Sequence, residues 1–383
     1  MWASRQLSGS VGAKLSRMRF SALAILVFVV CSSCDFQPTH STTDVQGGSQ
    51  LQILPPPGSP VALHGQLSVE GSKLIDACGR HVQLFGVSHF WHTWEGSEHW
   101  NQDVAAWLRD DWRVSLLRAP LAAHPNVEGD YLLAPDSSMA QLRQLVEGAI
   151  AEGMYIVVDF HAHKRYTQEA IEVLGTIARD YGDTPNLLYA IWNEPEGSQE
   201  PGGPEAMWKV IKEHAAAVIP EIRKHDPNNI IVVPTPHYDQ YPEVVVDDPL
   251  TKENLGIASN DIMYDVHFYA GQHKENVRGR TRRALNAGVP IIITEVGRTA
   301  VNWGPENTID SASFETWMDF VDSNKVSFTK WSLSYRVEKS SSLLPTAAAQ
   351  GGWIESDLTN EGKFNRAFFR RRGEAFYAQE ACE

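Results

Sequence analysis

The 383-residue chain has little cysteine and no surplus of basic residues, and each shortage excludes some chemistry. Its four cysteines fall as Cys31 and Cys34 near the start and Cys78 and Cys382 far apart, without the close pairing of a zinc site. No metal and no cofactor is expected. With 33 Lys and Arg against 47 Asp and Glu, the formal net charge is −14, which argues against nucleic acid as a partner. Phosphate binding needs a basic face. The turn after the first apolar strand, Phe85 to Phe90, has no glycine-rich phosphate loop, so an open doubly wound sheet is disfavoured. Long apolar runs are missing too: Phe20–Val30 falls short of the roughly 20 residues a membrane helix needs. No internal repeat appears, and no second polar linker follows residue 60, so residues 61–383 are read as one domain.

Hydrophobic residues at 43% and charged residues at 21% give an ordinary globular balance, with twelve tryptophans beyond what packing alone asks for. Aromatic excess suits a protein that stacks sugar rings. Arg5, Lys14, Arg17 and Arg19 precede the apolar block, so residues 1–34 read as a secretory signal. Cys34, behind Ser32 and Ser33, resembles the acceptor cysteine of a bacterial lipoprotein, which makes it a candidate lipid anchor. Residues 35–60, rich in Ser, Thr, Gln, Gly and Pro, read as a flexible tether. The protein is therefore expected to be secreted or held at the cell envelope.

The folded part opens with an alternating segment, Gln66 to Asp76, that turns at Gly71 as a hairpin does. Eight strand-like runs follow: the latter half of Val82–Ser88, Val114–Arg118, Met154–His161, Leu188–Trp192, Asn229–Val233, Ile262–His267, Val289–Gly297 and Val326–Trp331. Helical stretches are read at Ser137–Glu152, Gln168–Asp180, within Glu205–His225 and at Glu361–Gln379. Strands alternating with helices predict a (β/α)8 TIM barrel, with the hairpin closing its bottom. The fourth and seventh runs each end in a glutamate, Glu194 before Pro195 and Glu295 after a run of isoleucines. Proline has no N–H for a ladder, so Glu194 marks the carboxyl end of its strand. Paired carboxylates at the carboxyl ends of two buried parallel strands are the layout of a glycosidase on such a barrel.

Asn193-Glu194-Pro195, Thr294-Glu295-Val296-Gly297, the Arg118 strand, Asp159-Phe160-His161, His267-Phe268-Tyr269 and Trp331-Ser332-Leu333-Ser334 occur in the order of a known pattern. On these motifs the chain resembles glycoside hydrolase family 5, in its bacterial endoglucanase branch, from about Leu63 to Phe376. The resemblance implies a retaining mechanism, with Glu194 as acid/base and Glu295 as nucleophile, their carboxyl groups about 5–5.5 Å apart. It also implies that Arg118 and Tyr269 hold Glu295 ionised, Asn193 reaches the sugar 2-hydroxyl, and His161 and His267 orient sugar and carboxylates. Trp331 would floor the subsite before the cleaved bond. The charge of Glu295 is expected to push the proton affinity of Glu194 upward.

The chain departs from the family in three places. The loop Ser88-His89-Phe90-Trp91-His92-Thr93-Trp94 replaces the usual Ser-Ser-His-Gly-Leu-Gln-Trp, so His89 or His92 is expected to take over the substrate-contacting histidine. Trp94 keeps its place. Trp192 stands where the branch commonly has Ala, and Arg336 with Glu338 replaces a Lys and Glu pair. The expected activity is hydrolysis of internal bonds in a β-1,4-glucan by a monomer. A β-mannanase of the same family, or a glycan-binding surface lipoprotein without catalysis, are the alternatives. In a barrel of this kind the hairpin lies near the end of the last helix, so Cys78 and Cys382 are expected to form a disulfide in oxidising surroundings.

Overall fold

The structure is a computed structural model describing residues 54–196, 202–301 and 307–382. The expected signal segment with Cys34, and the tether as far as residue 53, lie outside the described residues. The hairpin forms as β1 (Ser68–Glu70) and β2 (Lys73–Ile75), with Gly71 at φ 60° in its turn. Only glycine enters that region without a Cβ penalty. Val69 N–H donates to the Asp261 carboxylate at 2.7 Å, and the Gln66 amide to Asn229 at 2.9 Å. Both partners directly precede barrel strands, so the hairpin is tied to the amino-terminal end of the sheet.

The barrel strands are β3 (Phe85–His89), β4 (Leu116–Ala122), β5 (Tyr155–His161), β6 (Leu187–Ala190), β7 (Ile230–Val233), β8 (Ile262–Tyr269), β9 (Ile291–Gly297) and β10 (Phe328–Leu333). They pair in parallel, each with its neighbour in sequence, and β10 returns to β3 to close the ring. Every residue of these strands is buried, which is why they read as continuous apolar runs instead of alternating ones. Helices Pro135–Ala151, Thr167–Tyr181, Pro204–Arg223, Glu275–Asn286, Ser311–Ser323 and Asn360–Phe376 follow strands in turn. Between β7 and β8 only single turns form, Pro236–Asp239, Pro242–Val245 and Lys252–Leu255. Pro234, Pro236, Pro242 and Pro249 punctuate that stretch, and proline ends helices by removing a donor and clashing with the preceding turn.

Strand alternation divides side chains between barrel interior and helix layer. On β10, Trp331 belongs to the mouth, while Lys330 points outward and is fully buried under the last helix. Its ammonium meets Glu361 at 2.7 Å, and Arg298 meets the same carboxylate at 2.8 Å. Such a pair holds the helix in register, because removing one partner leaves a charge stranded in the interior.

A disulfide joins Cys78, just past the hairpin, to Cys382, with Cα atoms 5.5 Å apart and a sequence separation of 304. Cys382 N–H also donates to Leu63 O at 3.0 Å, and Arg80 donates to Glu380 O at 2.8 Å. Closing so long a loop restricts the unfolded chain, for a gain of at most about 5 kcal/mol. The double variant Cys78→Ser/Cys382→Ser is expected to unfold at lower urea concentration. Its turnover at low temperature should match the parent, because the cross-link sits at the end of the barrel away from the carboxyl-terminal rim. A midpoint unchanged by the double substitution would show that the bridge contributes nothing.

Candidate active site

The carboxyl-terminal rim gathers the expected residues around one buried cation. Arg118, in β4, is fully buried, and its guanidinium fork is shared among β3, β5, β9 and the segment after β6. Nη1 donates to Glu295 Oε2 at 2.7 Å and to Ser88 Oγ at 3.3 Å. Nη2 donates to Asn193 Oδ1 at 2.5 Å and reaches Asp159 Oδ2 at 2.9 Å. Burial alone would lower the Arg118 pKa, but Asp159 and Glu295 raise it above the ordinary value. Asp159 in turn is held below the usual carboxylate range, since Arg118 and His161 outweigh its burial. His161 Nδ1 lies 2.7 Å from Asp159 Oδ2, which fixes the ring at the end of β5.

Glu295 accepts from both sides: Arg118 on Oε2, and the Tyr269 hydroxyl on Oε1 at 2.5 Å. Burial and the nearby Glu295 charge push the Tyr269 phenol well above its ordinary pKa, so it stays a donor. Asn193 gives its oxygen to Arg118, and its Nδ2 donor is buried without a protein partner.

Glu194, after β6, faces two imidazoles. His267 Nδ1 lies 2.8 Å from Oε1, and His163 Nε2 lies 3.4 Å from Oε2. His267 is itself set among acids, with Asp265 Oδ2 at 3.4 Å from Nε2 and Asp239 Oδ2 at 3.7 Å from Nδ1. Burial opposes the charge on His267, but Asp265 and Asp239 raise its pKa well above the ordinary value. Burial likewise opposes the charge on Glu194, yet hydrogen bonds from His163 and His267 bring its pKa well below the ordinary carboxylate value. This corrects the expectation of a raised Glu194: the two histidines in contact with it act in the opposite sense. The proton of the Glu194–His267 pair therefore rests on the imidazole side. The two glutamates are linked along both flanks of the site. Arg118 spans Glu295 and Asn193, while His267 pairs in register with Glu295 and touches Glu194.

The aromatic residues divide differently from expectation. His89 is a correction: it is fully buried, its ring 5.7 Å from Trp100, and burial lowers its pKa to about 3. On β3 it shares a face with Phe85, which stacks on Phe369 in the helix layer. Alternation therefore turns it away from the mouth. His92 is buried too, held by Ser138 Oγ at 2.9 Å and the Ala122 N–H at 3.1 Å. Phe90, on the opposite face from His89, is the residue that meets Trp331, at 4.8 Å between ring centroids. Trp331 is only 2% exposed, packed flat against His161 at 5.9 Å, so Trp91 and Trp94 offer more open aromatic surface than the expected floor does. Arg336 lies 3.9 Å over the Trp94 ring and pairs with Glu95 at 2.8 Å, while Glu338 accepts from Ser340 at 2.6 Å and from Trp331. Arg336 and Glu338 thus serve different partners. Trp192 packs beside His214 of the following helix, away from the rim.

Sequence reading missed His163, Tyr238 and Asp239. His163 had a signal, an H-x-H at a strand end that already carried His161. Tyr238 and Asp239 sit in a left-handed turn with φ near 59°, and Tyr238 N–H donates to Pro195 O at 3.1 Å. No sequence period announces that turn. Among the described residues, Glu194, Asp239 and His267 bring ligand atoms within 4.8 Å of one another. His267 Nδ1 stands between the two carboxylates of that group, 2.8 Å from Glu194 and 3.7 Å from Asp239.

A family model described as Cellulase (glycosyl hydrolase family 5) matches residues 75–337. An endoglucanase of Clostridium saccharobutylicum is 34% identical over 306 residues, covering 78% of this chain and 64% of that protein. Endoglucanase N of Pectobacterium atrosepticum is 34% identical over 330 residues, covering 84% and 69%. The chain thus spans less than two thirds of the first relative's length. The catalytic domain of a Thermobifida fusca endoglucanase superposes with TM-score 0.72 at 28% identity, covering 82% of this chain and 99% of that domain.

Proposed function

This chain belongs to the cellulase family, glycosyl hydrolase family 5, and from that premise we propose that it is a retaining endo-β-1,4-glucanase. The observation that carries the reading is the Arg118 fork, which binds Glu295 and the Asn193 beside Glu194 at once. That arrangement supports Glu295 as nucleophile on the anomeric carbon and Glu194 as acid/base. The nucleophile is positioned by a cation and a phenol, and both contacts favour its attack geometry. Glu194 first receives the proton of His267 Nδ1 across their 2.8 Å contact and passes it to the departing oxygen, which leaves Glu194 ionised. Glu194 then takes a proton from the water that releases the glycosyl group. Asn193 would give its unpartnered Nδ2 donor to the sugar 2-hydroxyl, a contact that strengthens in the transition state.

Trp91 and Trp94 would stack glycone sugars, and Tyr238, exposed beside Glu194, would meet the leaving side. One chain supplies every group, so a monomer suffices. Export to the envelope or medium follows from the basic and apolar start, with Cys34 as the proposed lipid acceptor.

Reducing-sugar release from carboxymethylcellulose, lichenan, glucomannan, xyloglucan and mannan tests the reading. Carboxymethylcellulose and lichenan should be cleaved, with the activity in the envelope fraction or medium. Degradation of mannan alone would favour the mannanase alternative, and no release from any polymer would favour a non-catalytic glycan binder.

A further inference from the structure

We propose that His163 is a second positioning residue on the acid/base, opposite His267, and that it fixes the upper pH limit of activity; this rests on the role of Glu194 given above. The contact is built by the main chain. Past the end of β6, Asn193 N–H donates to Phe160 O and Glu194 N–H to Ala162 O, each at 3.2 Å, and Glu196 N–H reaches His163 O at 3.5 Å. The β5–β6 pairing thus continues beyond both strands and carries His163 alongside Glu194. Its ring is kept in place by the Trp91 ring at 6.3 Å and by His161, nearly perpendicular, at 6.1 Å. His163 Nε2 then faces Oε2 while His267 Nδ1 faces Oε1, so each carboxylate oxygen has its own imidazole.

The charged surroundings set the sign. His163 faces Glu194, Glu196 and Glu295, with His124 on its other flank. Glu194 faces His163, His267, Asp239 and His273. Burial opposes protonation of His163, but Glu194 outweighs it and raises the imidazole above its ordinary value, while His163 lowers Glu194. A cation or N–H donor beside a carboxylate favours its ionised form, so His163 opposes the acid form needed for the first step and supports the base form needed for the second. Removing it should let Glu194 keep its proton to higher pH. A side chain that only packed would lower activity evenly at every pH.

The test is kcat/KM against pH for the parent, His163→Gln, His163→Asn and His163→Lys, on a soluble β-glucan. Gln and Asn should move the alkaline limb upward by about one pH unit, the scale of one nearby charge. Lys should leave the limb at or below the parent's. On an aryl glycoside with an activated leaving group, which needs no proton in the first step, kcat/KM should change less. A limb unmoved in both neutral variants, with melting curves showing them folded, overturns the proposal. Should those variants fail to fold, nitrogen-15 NMR titration of the His163 imidazole in the parent and in Glu194→Gln decides it. Loss of the carboxylate should lower the His163 titration by about one unit, and an equal value in both overturns the contact. A parent that cleaves no glucan would refute the functional reading, whereas the NMR comparison would still judge His163.

Discussion

Glu194→Ala should still form a glycosyl-enzyme from a substrate with an activated leaving group, and added azide should capture it as the β-glycosyl azide. The leaving group needs no proton there, so only the second step, which needs a base, is impaired. Azide is a nucleophile that needs no base, and the cavity left by the side chain admits it. On an unactivated glucan the same variant should lose about 10²–10⁴-fold, the usual worth of a positioned proton donor. Glu295→Ala should lose about 10⁴-fold or more on every substrate, a scale seen when a nucleophile is removed from other enzymes. Azide should give the α-azide with that variant, if any product forms, because attack then comes directly from the vacated side. The β-azide from Glu295→Ala and none from Glu194→Ala would reverse the two roles.

Arg118→Lys should damage both stability and activity, although it keeps the charge. The guanidinium is fully buried and meets Glu295, Asn193, Asp159 and Ser88 with two terminal nitrogens. A single ammonium cannot span contacts that diverge this way. At least one of Asp159 and Glu295 would then be buried without its partner, a loss of about 3–5 kcal/mol when a buried pair is broken. Urea unfolding should show that loss. Activity should fall by about 100-fold or more, since misplacing a reacting group by about 1 Å costs that much. Parental stability and activity in Arg118→Lys would mean that the fork does not organise the site.

The rim was legible in the sequence where a side chain's place follows from strand ends alone. Glu194 before Pro195 and Glu295 after Ile291–Ile293 announce carboxylates at the mouth, because buried parallel strands read as unbroken apolar runs. The hairpin turn at Gly71 and the helix following β4 were legible for similar local reasons. The missing helix between β7 and β8 was foreshadowed by its prolines, but a strand-and-helix count passes over them.

The sequence by itself determined the barrel, its order and the two carboxylates, since each depends on residues within one strand and on the period of two or 3.6 that local geometry imposes. Only the tertiary structure decided what surrounds those carboxylates. Whether His89 or Phe90 enters the mouth turns on which face of β3 meets the helix layer, and one residue of register exchanges them. Whether Glu194 is held by Glu295 or by His163 and His267 depends on distances between strands far apart in the chain. Charge–charge effects fall off with separation in space, and a linear sequence holds no record of that separation.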